Sequence, residues 1–291
     1  MDIDKFKIID GKKFSLTDYP TEINKKGLEK AEGELLIQKD IIDLAALQDV
    51  LYAENRHAVL IVIQAMDAAG KDGTIKHIMS GVNPAGVKVS SFKSPSTNEL
   101  NHDYFWRHYL ALPGKGEIGI FNRSHYENVL VTKVHPEFIL NEKHSNIKSP
   151  KDIDKSFWQD RYKQICRFEK NLSENDTLIL KFFLHVSKDV QKKRFLDRID
   201  DPKKNWKFSA ADLKERAFWD EYQSAYEDAI ENTATKSAPW FVIPADEKWF
   251  THYLIGNIIC SELKKLDLAY PTISDIERTA LLTAKAALLS E

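Results

Sequence analysis

The stretch AVLIVIQAMDAAGKDGT, residues 58–74, decides how this chain is organised. Its first half, Ala58 to Ala65, is apolar without strict alternation, the pattern of a strand buried on both faces of a parallel sheet. A Gly-Lys turn follows at Gly70 and Lys71, and Thr74 to Met79 can begin a helix. Strand, turn and helix in that order form the setting of a phosphate loop, where backbone amides and the positive end of the helix dipole converge on an anion and the lysine adds a point charge. Ala69, Gly70, Asp72, Gly73 and Thr74 are the candidate cradle residues around Lys71. The usual spacing is G-x-x-x-x-G-K-[ST]. Here Ala65 stands at the first glycine and Asp72 at the final hydroxyl position, with Thr74 two places later. Asp67 is the odd residue, since a carboxylate inside an anion-binding loop repels phosphate unless a cation lies between them. Mg²⁺ held by Asp67 and phosphate oxygens resolves that conflict, with Asp72 as a second carboxylate nearby.

Outward from this stretch, four more β-rich runs stand out: Val87 to Phe92, Ile118 to Phe121, Thr177 to Val186 and Trp240 to Ile243. Between them lie helical patterns at Asn98 to Leu110, Lys155 to Leu172, Ser187 to Ile199, Ala210 to Ile230 and Trp249 to Leu266. Alternating strands and helices predict a doubly wound α/β fold, a parallel five-stranded sheet with helices on both faces and right-handed crossovers. Leu28 to Asn55 reads as a helical part of an N-terminal extension, residues 1–56, and a helix with Ala and Leu on one side ends the chain, residues 272–291. With no repeats, low-complexity tracts or Pro/Gly linkers, residues 1–291 are expected to form a single domain.

The third run ends in Asn122 and Arg123, where a kinase sheet usually carries an acidic magnesium supporter. Asn brings no negative charge, whereas Arg123 stands where a guanidinium reaches transferring phosphoryl oxygens, unless it pairs with Glu127 instead. His125 and Tyr126 read as packing or positioning groups. Residues 188–216 hold ten basic against six acidic side chains. Arg194 and Arg198, four apart on one helix face, can point at one ligand. A solvated amphipathic helix is the bland explanation of such a charge run. Its place after the fourth strand is where nucleotide kinases carry a helical lid, so residues 187–217 are expected to be one.

The whole chain sets bounds. It has 291 residues, 43% of them hydrophobic, and a formal charge of −2, so nothing global points to nucleic acid or membrane. The two cysteines, Cys166 and Cys260, have no metal-ligand spacing, and no run approaches about 18 apolar residues. A cytoplasmic protein without signal peptide or zinc site is expected.

Joined together, MDAAGKDGTIKH, GVNPAGVKV, SFKSPSTNEL, HDYFWRHYLALPGKGEIGIFNRSHYE and RFLDRIDDPKKNWKFS resemble the polyphosphate kinase type 2 family, over roughly Phe14 to Leu268. That family's phosphate loop looks like D-x-A-G-K-D-G-[ST], which accounts for the departures at residues 65 and 72. The resemblance implies a P-loop kinase-like sheet with a helical lid, usually in homodimers or homotetramers. It also implies Mg²⁺ as cofactor, and inorganic polyphosphate with AMP, ADP and ATP as partners. By the same likeness Asp67, Lys71 and Arg123 act on phosphate and metal, and Arg194 and Arg198 are lid residues. Asn122-Arg123-Ser124-His125-Tyr126-Glu127 looks like the members accepting AMP; that transfer continues from ADP to ATP, the class III behaviour, is expected beside the alternative that it stops at ADP. The competing readings are an ATP-dependent nucleoside monophosphate kinase of thymidylate-kinase type and a non-catalytic polyphosphate- or nucleotide-binding module.

Overall fold

A computed structural model describes residues 2–23 and 29–291. In chain order the elements are β1 (Lys7–Ile8), α1 (Lys30–Glu54), β2 (Ala58–Ala65), α2 (Lys71–Ile78), β3 (Val87–Ser91), α3 (Trp106–Tyr109), β4 (Ile118–Asn122) and α4 (Val131–Val134). There follow α5 (Lys155–Glu174), β5 (Thr177–His185), α6 (Lys188–Asp200), α7 (Ala210–Ala217), α8 (Trp219–Thr233), β6 (Trp240–Pro244), α9 (Lys248–Leu263) and α10 (Asp275–Leu289). The strands form one sheet in the order β1-β6-β5-β2-β4-β3, parallel except for β1, which runs antiparallel to β6. All eight residues of β2 are buried, as the unbroken apolar run requires. α1 and α2 pack on α9, while α5 packs on α8 and β5.

This is the α/β fold expected, with one correction: the sheet has six strands, not five. Strand β1 is only two residues long, within a charged segment, too short to leave a periodic signal. Two helices also differ. Asn98 to Leu110 is not continuous: a 3₁₀ turn at Glu99–Asn101 is separated from α3, and the Asp103 carboxylate accepts the Phe105 amide in between. Ala210 to Ile230 breaks at Phe218, which parts exposed α7 from α8, the helix that buries Trp219, Tyr222 and Tyr226. The N-terminal helix begins at Lys30; the expected start at Leu28 lies outside the described residues. It belongs to the body of the fold, burying Ile37, Leu44 and Leu51. Helix α10, by contrast, buries none of its residues and exposes Ile276, Leu281, Leu282, Leu288 and Leu289. No helix among the described residues is long and apolar enough to cross a membrane.

The connection from β2 leads toward β3 and that from β5 toward β6, so the chain parts in opposite directions from two neighbouring strands. Such a switch point opens a crevice at the carboxyl ends of the strands. Beneath it lies a buried polar network. The Lys181 ammonium, on β5 and fully buried, donates to Glu169 Oε2 at 2.7 Å, Tyr126 Oη at 2.9 Å and the Thr233 carbonyl at 2.9 Å. Tyr126 in turn donates to Glu169 Oε1 at 2.7 Å. Removing one member leaves the others desolvated and unpaired. Lys181→Met alone should therefore cost about 3–5 kcal/mol, and Lys181→Met with Glu169→Gln distinctly less, in urea unfolding. Equal losses in the single and double variants would show that the ion pair is not what the core depends on.

Candidate active site

The ends of β2 and β4 meet at the crevice. The loop from β2 turns through Met66 to Gly70 with Ala68 at φ 60° and Gly70 at φ 113°, both in the left-handed region. Glycine tolerates that conformation and alanine does so only under constraint. A Cβ at Gly70 or Gly73 would meet no heavy atom within 4 Å, so this side of the loop faces open space. Helix α2 starts here without a side-chain cap, leaving its first-turn amides without helical partners, which is the condition for an anion site.

At the end of β4, Arg123 also lies in the left-handed region, with φ 62°. Its amide bonds to the Ile63 carbonyl at 3.2 Å, tying this strand end to the phosphate-loop strand. Its guanidinium spans Asp67 Oδ1 at 3.0 Å and Glu127 Oε2 at 3.2 Å. The pairing with Glu127 is realised, and the carboxylate in the loop is balanced by the same guanidinium. Burial pulls the Arg123 pKa down, but Glu127 and Asp67 outweigh it and hold the group well above its ordinary value. Asn122 donates to Asp72 Oδ1 at 2.7 Å, joining the first turn of α2 to the end of β4.

Lys71 turns back over its own loop, donating to the carbonyls of Ala65 at 2.8 Å and Met66 at 3.4 Å. Burial first, and then the neighbouring Arg123 charge, lower its pKa from 10.5 to about 8 against the opposing pull of Asp67 and Glu127. Thr74 is only 1% exposed and lies under the start of α2, away from the open face.

The expectation that Arg194 and Arg198 point together at one ligand needs correction. Arg194 does not share a ligand-facing surface with Arg198. Its guanidinium is buried, and both terminal nitrogens donate to carbonyls, those of Ala68 (3.1 Å), Ala69 (2.7 Å), Ala245 (2.8 Å) and Asp246 (3.1 Å). Gln191, three residues earlier, donates to the Asp67 carbonyl at 2.9 Å. Helix α6 is pinned against the back of the loop, and a guanidinium with five donors is suited to several carbonyls at once. Arg198 has other partners, donating to the Lys207 carbonyl at 3.3 Å and lying 3.7 Å from Asp212.

Sequence reasoning missed Gln191 and the cleft beside the loop, which Met66, Leu130, Val131, Tyr222, Tyr226 and Glu215 help to line. No local pattern announces these residues, because they come from the loop after β2, the segment entering α4, and from α4, α6, α7 and α8. His125 and Tyr126 are fully buried, His125 Nε2 lying 3.4 Å from Glu169 Oε1. Both belong to the network under the sheet, as packing or positioning groups.

A sequence profile described as polyphosphate kinase 2 matches residues 27–270. The chain belongs to the polyphosphate kinase 2 family. It is 45% identical over 285 residues to an ADP-polyphosphate phosphotransferase of Rhodopseudomonas palustris, covering 98% of each chain. To an AMP/ADP-polyphosphate phosphotransferase of Meiothermus ruber it is 49% identical over 228 residues, 78% of this chain and 80% of the other. The crystal structure of polyphosphate kinase 2 from Arthrobacter aurescens superposes with a TM-score of 0.85 at 37% identity, covering 95% of both chains. A P-loop kinase-like fold is therefore shared with solved members of the family, and α10 lies beyond the family's matched segment.

The depressed Lys71 pKa has a stability signature. Below pH 8 the folded state carries a buried charge that the unfolded chain solvates freely; between pH 8 and 10.5 the folded state sheds that proton first. Stability contributed at this position therefore rises with pH across that window. The stability of the wild type relative to Lys71→Met should increase between pH 8 and 10.5, in chemical unfolding of the ligand-free protein. A flat difference would mean that the ammonium titrates at its ordinary value.

Proposed function

We propose that this chain transfers a phosphoryl group from inorganic polyphosphate to AMP and ADP, reversibly, and that ATP is the end product. The observation that carries the reading is the convergence of Asp67, Lys71 and Arg123 on one open loop at the switch point, in a member of this family. The relatives from Rhodopseudomonas palustris and Meiothermus ruber are named as polyphosphate phosphotransferases of ADP and of AMP and ADP, which supports the same donor and acceptors here. The segment Asn122 to Glu127 supports AMP as the first acceptor.

The acceptor is itself a phosphate with a second pKa of about 6, so at neutral pH it is largely a dianion and needs no strong base. Asp67 then holds and aligns rather than abstracts a proton. Arg123, anchored by Glu127, presents its charge between loop and cleft, where negative charge on transferring oxygens accumulates. Lys71 and the free amides of α2 bind the donor's phosphates. As an anion binds, the Lys71 proton is held more firmly.

Among the described residues no cluster of three or more His, Cys, Asp or Glu side chains could by itself hold a metal. An oxygen donor set of one carboxylate, completed by phosphate oxygens and water, fits a hard divalent cation of the kind that phosphoryl transfer uses. We assign Asp67 to hold it as Mg²⁺, which when bound supplies charge neutralisation between donor and acceptor oxygens. Residues 187–217 act as the lid, with Arg198 and the lysines around Pro202 drawing in the polyanion. Exposed α10 supports assembly into homodimers or homotetramers.

Polyphosphate offers no base or sugar to recognise, so its binding is almost wholly electrostatic. The KM for polyphosphate should climb with ionic strength much more steeply than that for AMP or ADP. Asp67→Asn and Arg123→Ala should each lower turnover by about 10²–10³ while melting as cooperative folded proteins. Nucleotide chromatography with Mg²⁺ and either polyphosphate or ATP as donor checks the reading; transfer from ATP alone would overturn it.

A further inference from the structure

We propose that Gln191 and Arg216 form a relay that registers the position of α7 at the Asp67 peptide, making Gln191 a positioning residue for phosphoryl transfer; this rests on the function proposed above. Gln191 is 1% exposed, and both ends of its carboxamide are used. Its Nε2 donates to the Asp67 carbonyl at 2.9 Å, and its Oε1 accepts from Arg216 Nη1 at 2.7 Å. The same Arg216 nitrogen donates to the Lys188 carbonyl at 2.8 Å, so it bridges α7 to the first turn of α6. The guanidinium stands 5.9 Å from the Trp219 ring, which places it where α7 meets α8.

The direction of the effect follows from peptide geometry. In a trans peptide the carbonyl and the next amide point opposite ways. Holding the Asp67 carbonyl toward α6 therefore turns the Ala68 amide away from it, and fixes the backbone from which the Asp67 side chain springs. Arg194 does the same for the peptides after Ala68 and Ala69, but its partners are all carbonyls of the loop and of residues 245–246. Gln191 alone joins this clamp to Arg216. When α7 shifts, the carboxamide must follow or break one of its two bonds, and either outcome moves Asp67.

Chemistry offers a way to separate the two bonds. Glutamate at position 191 keeps the acceptor for Arg216 but loses the donor to the Asp67 carbonyl; methionine loses both. Steady-state transfer from polyphosphate to ADP is measured for the wild type, Gln191→Glu, Gln191→Met, Arg216→Ala and the Gln191→Met/Arg216→Ala double variant. Each single variant should lower kcat by about tenfold to a hundredfold, with the KM for polyphosphate held within about threefold, as for a misplaced rather than a missing binding group. The double variant should be no slower than Gln191→Met, because the relay is broken once. Arg216→Lys should recover part of the loss.

Multiplicative losses in the double variant, or an Arg216→Ala effect confined to the KM for polyphosphate, would show that Arg216 touches the donor directly and would overturn the relay. Wild-type turnover near that of Gln191→Glu would overturn it too. If thermal melting shows Gln191→Met unfolded, the cycle is run with Gln191→Glu, for which the same non-additivity is required. A wild type that forms no ATP from polyphosphate and ADP would instead strike at the proposed function, leaving the two failures distinct.

Discussion

Amides can be aimed at an anion only if the carbonyls of the same peptides are satisfied on the opposite side, and this constraint organises the site. Each carbonyl turned away from the ligand is a buried acceptor, and an unsatisfied one costs on the order of 1–3 kcal/mol. Helix α6 meets the requirement from behind, with Gln191 on the Asp67 carbonyl and Arg194 on those of Ala68 and Ala69. The left-handed conformation of Ala68, unfavourable in isolation, persists because these bonds and the packing around them over-determine it. The loop is thus shaped before any ligand arrives, which is what electrostatic preorganisation requires.

On the open side the charges are arranged as partners. Asp67, Arg123 and Glu127 form a chain, so that a carboxylate sits in a phosphate loop without leaving the loop repulsive. The cost falls on Lys71, whose ammonium is buried near a second cation and held only by carbonyls and by the more distant pull of the acids. Such a group gains most when a polyanion binds. A destabilised lysine in the free protein is what the proposed electrostatic binding of a phosphate chain would relieve.

Arg123 keeps its place because the turn that follows it is anchored from below. Ser124 is buried and accepts from Gln64 of the phosphate-loop strand, and Tyr126 reaches the Lys181–Glu169 pair on β5 and α5. Three elements of the sheet and its covering helix therefore hold one strand end, so the guanidinium faces Asp67 from a rigid base. Gln64, Tyr126, Glu169 and Lys181 never reach the crevice, yet they fix its geometry.

Local chemistry is written in order along the chain. The apolar run of β2, the Gly-Lys turn and the alternation of strands with helices were legible because each depends on residues near in sequence, and they carried the fold, the loop and the family. Asp67, Lys71, Asn122 and Arg123 were legible for the same reason, sitting at the ends of recognisable strands. What a side chain bonds to is another matter. Arg194 and Arg198 look alike on a helix face, and only the packing of α6 against the loop sends one to backbone carbonyls and the other toward α7. Strand β1 exists only because the edge of β6 is there to pair with it, and Gln191 becomes significant only where residues 67 and 216 approach it. Periodicity records which face of an element is buried; the partner found on that face is decided by contacts between residues far apart in sequence, which tertiary structure alone brings together.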